Sequence, residues 1–336
     1  MTPALIALDW GTSSLRGYLM TRDGVIIGQR AGGRGIMQVT DGQFEAALNQ
    51  LCGDWLAAHR SATLITSGMI GSKQGWREAP YCACPADAAA IAAAVITLPI
   101  GGTRILHIVP GVSLIDPATS VPDVMRGEET QIIGAVPATG THLCVLPGTH
   151  SKWAWVRDGL IERFSSWMTG EVYAALTQHT ILGRLMQLDA PHDAAAFARG
   201  LQFGCANPAT LLNRIFSART LGLFDQLGAT ALPSYLSGLL IGAELGGVML
   251  PVALPAALPV ALPLALPAML PGAAAVPAAP INYPARDNHV IVLGSHQLTA
   301  RYETACRLTG WRVSTGPEEC AAHGMHRIAH AAGLLA

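Results

Sequence analysis

Two stretches of this chain share one polar pattern: "LDWGTSSLRGYLMTRDGVIIG" near the start and "CVLPGTHSKWAWVRDGLIER" past the middle. In each, an apolar run meets Gly-Thr (Gly11-Thr12-Ser13, then Gly148-Thr149-His150-Ser151). A strand with a cation near its start follows (Arg16, Lys152), and Asp-Gly closes it. Glycine lets a backbone come close to a bound group, and the next amides and hydroxyls can donate to phosphate oxygens. Arg16 and Lys152 could neutralise charge on a transferring phosphoryl group; the plainer alternative for both is a solvated strand residue. Asp9 ends the first apolar run. A carboxylate aimed at phosphates requires a cation between them, which points to Mg²⁺ held through water. The competing role is an Asp that caps the Gly11-Thr12 turn. His150 is a phosphate ligand or a polar turn residue. One such hairpin is an ordinary turn; two in the same context suggest a clamp. No GxxxxGK[ST] is present, nor a GxGxxG after a strand, so P-loop and dinucleotide sites are excluded.

The elements that must position these residues are legible in outline. Residues 4–9, 15–20 and 25–29 read as strands, the last two joined by the Arg22-Asp23-Gly24 turn. "DGQFEAALNQLCGDWLAAHR" reads as an amphipathic helix capped by Asp41. A strand "ATLITSGM", an Ala-rich helix "ADAAAIAAAVI" and a strand "TRILHIVPGV" follow. The second half repeats the order: the helix "EETQIIGAV", then the strands "HLCVLP", "KWAWV" and "LIERFSS". Helices come next, among them "ATLLNRIFSARTL" and "LPSYLSGLLIGAEL". The chain closes with the strand "HVIVLGS", a helix, the strand "WRVS" and the helix "PEECAAHGMHRIAHAAGLL". This is a duplication at the scale of a domain. It predicts an N-terminal domain over 1–125 and a C-terminal domain over 126–336.

The 336 residues are 51% hydrophobic and 13% charged, with net charge −1, so there is apolar material for a large core and no basic face for nucleic acid. "MTPALIALDWG" lacks the basic start of a signal peptide. Seven scattered cysteines without CxxC fit a reducing cytoplasm, and the eleven histidines show no zinc spacing. Between Glu244 and Arg286 no charge occurs, and proline recurs at 251, 255, 259, 263, 267 and 271. The length would span a membrane, but six prolines at about 3 kcal/mol each exclude a helix there. The stretch (about 249–285) reads as a low-complexity insertion, with no membrane partner implied. A contact in a homodimer is one use left open for it.

The two hairpin sequences resemble the phosphate motifs of the actin-like ATPase superfamily, above all its sugar kinases. "RGEETQIIGA" resembles their first connecting helix, "VIVLGSHQLTARYETACRLTGWRV" the nucleoside-binding strand and helix, and "PEECAAHGMHRIAHAAGLL" the closing inter-domain helix. More narrowly, "TSGMIGSKQGWREAPYCACPA", "VPDVMRGEETQIIGA", "LPGTHSKWAWV" and "YLSGLLIGAEL" resemble the 2-dehydro-3-deoxygalactonokinase family. The resemblance implies two actin-like (ribonuclease H-like) α/β halves, with mixed sheets flanked by helices, hinged across a nucleotide cleft. It implies MgATP-dependent phosphorylation of the terminal C6 hydroxyl of 2-dehydro-3-deoxy-D-galactonate, in galactonate breakdown. It implies a carboxylate base at the start of the connecting helix. Glu128 and Glu129 occupy that place, where the family pattern usually has Asp. Asp123 is the third candidate, and the helix dipole alone would also favour glutamates there. Arg126 would hold the base or the substrate carboxylate. The loop "SGMIGSKQGWREAPY" would present Ser67, Gly71, Ser72, Lys73, Gln74, Trp76 and Glu78 to the sugar acid, with Trp76 as a flat wall. Gly294 and Ser295 would take the nucleoside. Other readings are a kinase of 2-dehydro-3-deoxygluconate, a non-transferring actin-like ATPase, and a polyphosphate or alarmone phosphatase.

Overall fold

The computed structural model describes residues 2–117, 119–249, 288–294 and 296–335. The readings of Ser295, of the Pro/Ala/Leu insertion beyond residue 249, and of a homodimer contact there fall outside the described residues.

The first half opens with strands β1 (Pro3–Trp10), β2 (Ser14–Thr21) and β3 (Ile26–Arg34), followed by helix α1 (Phe44–Ala58) and β4 (Thr63–Ser67). Next come β5 (Tyr81–Ala83), α2 (Ala88–Ala93), β6 (Ile96–Ile100), β7 (Arg104–Ile108), β8 (Gly111–Ile115), β9 (Pro122–Met125) and α3 (Glu128–Ala135). The second half holds β10 (Thr141–Leu146), β11 (Ser151–Arg157), β12 (Leu160–Trp167), α4 (Thr169–His179), α5 (Ala194–Ala206), α6 (Leu211–Arg214), α7 (Ser217–Leu223) and α8 (Leu232–Met249). It ends with β13 (His289–Val292), α9 (His296–Leu308), β14 (Arg312–Thr315) and α10 (Cys320–Ala331).

The duplication is visible in the sheets. One runs β3-β2-β1-β4-β7-β6, the other β12-β11-β10-β13-β14. Each starts as an antiparallel meander, then adds parallel strands beside its first strand (β4 and β7; β13 and β14). Only β6 is an extra, antiparallel edge. The architecture is therefore the pair of actin-like α/β halves expected.

Apolar alternation sorts the side chains into layers. Ile6, Leu8, Leu19 and Leu64 face α1 on the outer side of the first sheet. Val145, Trp153, Val290 and Val292 face α5, α8 and α9 on the outer side of the second. Between the sheets lies a shared core, with Leu5, Ala7 and Ile65 from one side, Cys144, Ala154 and Ile291 from the other, and α3 and α10 within it. Helix α8 is long and apolar enough to cross a membrane, but 89% of it is buried inside the protein, so it is a core helix.

Several local expectations are corrected. Asp41 does not cap α1: it adopts φ 53°, and the helix begins at Phe44 after Gln43. "TRILHIVPGV" breaks into β7 and β8 at Val109-Pro110, where proline removes a donor. "ATLLNRIFSARTL" forms two short helices, α6 and α7. The three-stranded sheet β5-β8-β9 and the edge strand β6 were not predicted. Helix α10, counted with the second half by sequence position, packs on α3 and also on α2, β1 and β4 of the first.

Helices α3 and α10 meet backbone to backbone. A Cβ on Gly134 would stand 1.8 Å from the Cys320 carbonyl oxygen, and one on Gly324 1.8 Å from that of Thr130. The Gly324→Ala substitution is expected to destabilise the protein by about 2 kcal/mol or more, since the helices must separate to admit a methyl group. Urea unfolding checks this; unchanged stability would show that the contact yields cheaply.

Candidate active site

Both Gly-Thr turns are exposed and held from behind. In the first, the Gly11 N–H donates to the Ser14 carbonyl at 2.9 Å, and Ile36 and Met37 donate to the carbonyls of Gly11 and Thr12. In the second, the Glu171 N–H of α4 donates to the Thr149 carbonyl at 2.9 Å. Thr12, Ser13, Thr149 and His150 all face solvent. The strand after each turn carries its cation inward. Arg16 lies directly across from Asp9 in the β1–β2 pairing, and Lys152 is 4% exposed.

Glu128 lies between the two hairpins. Its Oε1 is 3.3 Å from Lys152 Nζ, which also donates to the His150 carbonyl at 3.0 Å. Its other oxygen accepts from the Arg126 N–H at 2.9 Å. Towards the first hairpin it is close enough to act on Asp9. Burial raises the Asp9 pKa most, Arg16 opposes that rise, and the Glu128 charge adds to it. Asp9, Arg16, Glu128 and Lys152 thus form one electrostatic group drawn from both halves.

Glu129 has another role. It is fully buried, accepting from the Gly127 N–H at 2.7 Å and from Thr130 Oγ1 at 2.8 Å. Burial, with a smaller contribution from Glu128, pushes its pKa up to about 7. Both oxygens are occupied by the turn it stabilises, unlike those of Glu128. Asp123 is likewise engaged, accepting from the Ser166 N–H and Oγ at 2.7 and 2.6 Å and so fastening β9 to β12.

The turn before α3 meets the loop after β4 at two glycines. Gly68 (φ 98°) and Gly127 (φ 105°) both take left-handed backbone, and a Cβ on Gly127 would stand 3.1 Å from Gly68 Cα. This contact lets Arg126 run under the loop. Its Nη2 donates to the Ala79 carbonyl at 2.9 Å, and its guanidinium lies 4.3 Å from the centre of the Tyr81 ring. Arg126 Nε and Nη1, Ser67 Oγ and Ser72 Oγ are buried without a hydrogen-bond partner. Ser67 is the register neighbour of Asp9 on β4, and Gly71 abuts Arg126 Nη1. Buried donors are normally satisfied. Four such atoms lie in adjoining segments, a donor set that matches the chemistry of an acceptor-rich ligand.

Three further predicted side chains have partners within the protein. The Trp76 ring stacks on Phe44 with centroids 5.9 Å apart and meets Trp10 edge-on, so one of its faces packs on the outer core. Ser151 Oγ is fully buried and donates to Glu244 Oε2 at 2.8 Å, so its hydroxyl is engaged inside the protein. The His150 ring is paired with Glu171. Lys73, Gln74 and Glu78 are exposed on the loop. Gly294 (φ 135°) lies two residues past the end of β13, beside the second hairpin, 3.6 Å separating a Cβ built on it from the Pro147 carbonyl oxygen.

Sequence reasoning missed Glu244. It is 1% exposed and accepts from Ser151 Oγ, Trp153 Nε1 (2.7 Å), Tyr302 OH (2.8 Å) and Thr169 Oγ1. Burial raises its pKa, and the Thr169, Trp153, Tyr302 and Ser151 hydrogen bonds oppose the rise. A lone acid inside the apolar "LSGLLIGAEL" was the available signal.

Residues 9–261 match the family described as 2-keto-3-deoxy-galactonokinase. The chain is 30% identical to the 2-dehydro-3-deoxygalactonokinase of Escherichia coli (strain K12), over 98% of this chain and 99% of that protein. It is 38% identical to a Rhizobium meliloti (strain 1021) protein named "Probable 2-dehydro-3-deoxygalactonokinase DgoK1", over 71% of this chain and 78% of that one. A crystal structure from Sinorhizobium meliloti, of a protein assigned as a 2-dehydro-3-deoxygalactonokinase, superposes with TM-score 0.76 at 33% identity. It covers 97% of this chain and 98% of that one.

The buried acid at Glu129 has a pH signature. Its folded pKa (about 7) lies above the ordinary 4.5, so between those values the folded state holds a proton that the unfolded chain has lost. Stability is therefore full below pH 4.5 and falls as pH rises to about 7. Glu129→Gln keeps the hydrogen-bond geometry and is expected to flatten that fall, with a higher midpoint than the parent at pH 8. Denaturant melts from pH 5 to 8 measure it; an unaltered slope would refute the assignment.

Proposed function

The chain belongs to the 2-keto-3-deoxy-galactonokinase family and is a carbohydrate kinase, and on that premise we propose how its cleft performs the transfer. The carrying observation is Glu128, placed between the hairpins of the two halves beside a pocket of orphaned donors. The substrate is a 2-keto-3-deoxy sugar acid, 2-dehydro-3-deoxy-D-galactonate, phosphorylated on its terminal hydroxyl by ATP. Arg126, with Ser67 and Ser72, takes the sugar acid at its oxygen-rich end. A guanidinium with two unused N–H-bearing nitrogens suits a carboxylate, and the serine hydroxyls suit the keto and hydroxyl oxygens.

The hairpins grip the triphosphate through Gly11, Thr12, Ser13, Gly148 and Thr149, with Gly294 on the nucleoside side. Asp9 would hold the Mg²⁺. The fit is of the kind this ion uses with nucleotides, one carboxylate plus waters and phosphates. No group of three or more His, Cys, Asp or Glu side chains forms a dedicated cage among the described residues. When bound, the ion neutralises phosphate oxygens.

Glu128 accepts the proton of the substrate's terminal hydroxyl as that oxygen attacks the γ-phosphorus, and the bond to the β-phosphate oxygen breaks to release ADP. Lys152 and Arg16 stabilise the charge on the moving group. Before nucleotide binds, Lys152 rests on Glu128; drawing it to the phosphates frees the carboxylate for the proton. Closure of the two halves excludes water from this step. The cytoplasm is the fitting compartment, since all seven cysteines are free thiols.

The test is ADP release with MgATP and a panel of sugar acids. The parent should turn over 2-dehydro-3-deoxygalactonate and not galactose; release indifferent to acceptor would sink the kinase assignment. Glu128→Gln is expected to lower kcat by about 10²-fold or more with little change in KM. Arg126→Lys is expected to raise KM for the sugar acid by about tenfold, because a point charge replaces the fork.

A further inference from the structure

Glu244 has no part in the transfer just described, yet one carboxylate gathers four elements around the nucleotide site. It projects from α8. Ser151 and Trp153 reach it from β11, the strand that leaves the second hairpin; being two residues apart, they point to the same face of the sheet. Thr169 reaches it from the first residue of α4. Two residues on, Glu171 donates its N–H to Thr149 in the hairpin. Tyr302 reaches it from α9, the helix that follows the Gly294 turn. Hairpin and nucleoside helix are therefore both referenced to one buried acceptor.

We propose that Glu244 is a positioning residue for the nucleotide, fixing the second Gly-Thr hairpin relative to helix α9 so that phosphate and nucleoside contacts are made together. The proposal rests on the second hairpin being a phosphate site. The chemistry favours a carboxylate here: its two oxygens accept from an indole N–H and three hydroxyls at once. Hydrogen bonds to a charged acceptor are the stronger kind and hold their donors at short range. Gln at the same place retains one acceptor oxygen for the Trp153 indole, while its amide can donate to hydroxyls turned to accept. Leu retains nothing and leaves three buried donors, Ser151, Trp153 and Tyr302, and the half-buried Thr169 hydroxyl without that acceptor.

The experiment uses the full chain and direct binding. MgATP affinity is measured by calorimetric titration, and 2-dehydro-3-deoxygalactonate affinity by titration without nucleotide. Thr169→Val and Tyr302→Phe each remove one hydroxyl while preserving shape, so they report even if Glu244→Leu fails to fold. Each is expected to weaken MgATP by about tenfold, with sugar-acid affinity within about twofold of the parent. Glu244→Gln is expected to lose less than Glu244→Leu. A merely structural role would leave MgATP affinity of the folded variants unchanged, or weaken both ligands equally; either result overturns the proposal. If the parent itself binds no MgATP, the phosphotransfer reading and this proposal fall together. Parent binding with unaltered variants overturns the positioning role alone.

Discussion

The site depends on how closely helix α3 can approach its surroundings. The turn before it supplies Arg126 and its first two residues are Glu128 and Glu129, and these face three different ways. Arg126 runs under the loop after β4, Glu128 faces Lys152 at the start of β11, and Glu129 folds back on the Gly127 N–H. Such divergence within four residues needs a sharp turn. Gly127 provides it at φ 105°, with Gly68 of the facing loop in backbone contact. One turn further along, the helix lies on α10 at a distance that excludes a side chain at Gly134 or Gly324. Close packing at both ends fixes the axis of α3, and the axis fixes where the Glu128 carboxylate stands. Helix α10 in turn rests on β1, whose last residues include Asp9. The carboxylates at the two hairpins are thus registered through helices and sheet, not through loops.

Much of this was legible in the residues. The paired Gly-Thr turns, the meander that follows each, and the duplicated sheet order are local consequences of period-two alternation and turn chemistry, which sequence carries directly. The grouping of Asp9, Arg16, Glu128 and Lys152 was legible because each falls at a strand or helix end set by those signals. What was not legible depended on distant partners. Trp76 has the chemistry of a ligand wall, but Phe44 and Trp10 lie close enough to claim its ring. Ser151 reads as a phosphate donor until Glu244, far along the chain, accepts its hydroxyl. Glu128 and Glu129 are identical in type and adjacent. Only the helical rotation between them, about 100°, decides which enters the cleft and which is buried. β5, β8 and β9 escaped because three- to five-residue strands on a small sheet carry too little pattern.

The polar groups of the site divide into two thermodynamic kinds, and the division tracks their use. Glu129 and Glu244 are buried and saturated: every oxygen has donors supplied by the protein itself. Such groups rigidify what they touch, since any displacement strands several buried partners at once. Arg126, Ser67 and Ser72 are buried and unsaturated. An unmet buried donor costs about 1–3 kcal/mol, so a ligand that brought acceptors to these four atoms would gain on that scale at each one it met. That gain appears as affinity for the group supplying the acceptors. The saturated acids resist movement of the frame, and the unsaturated donors favour entry of one kind of ligand. Glu128 belongs to neither kind: partly exposed, it is shared between an amide of its own turn and the lysine that follows the second hairpin. A group held by an exchangeable partner can change its contacts when nucleotide draws that partner away, and a proton acceptor in a transfer reaction requires that freedom.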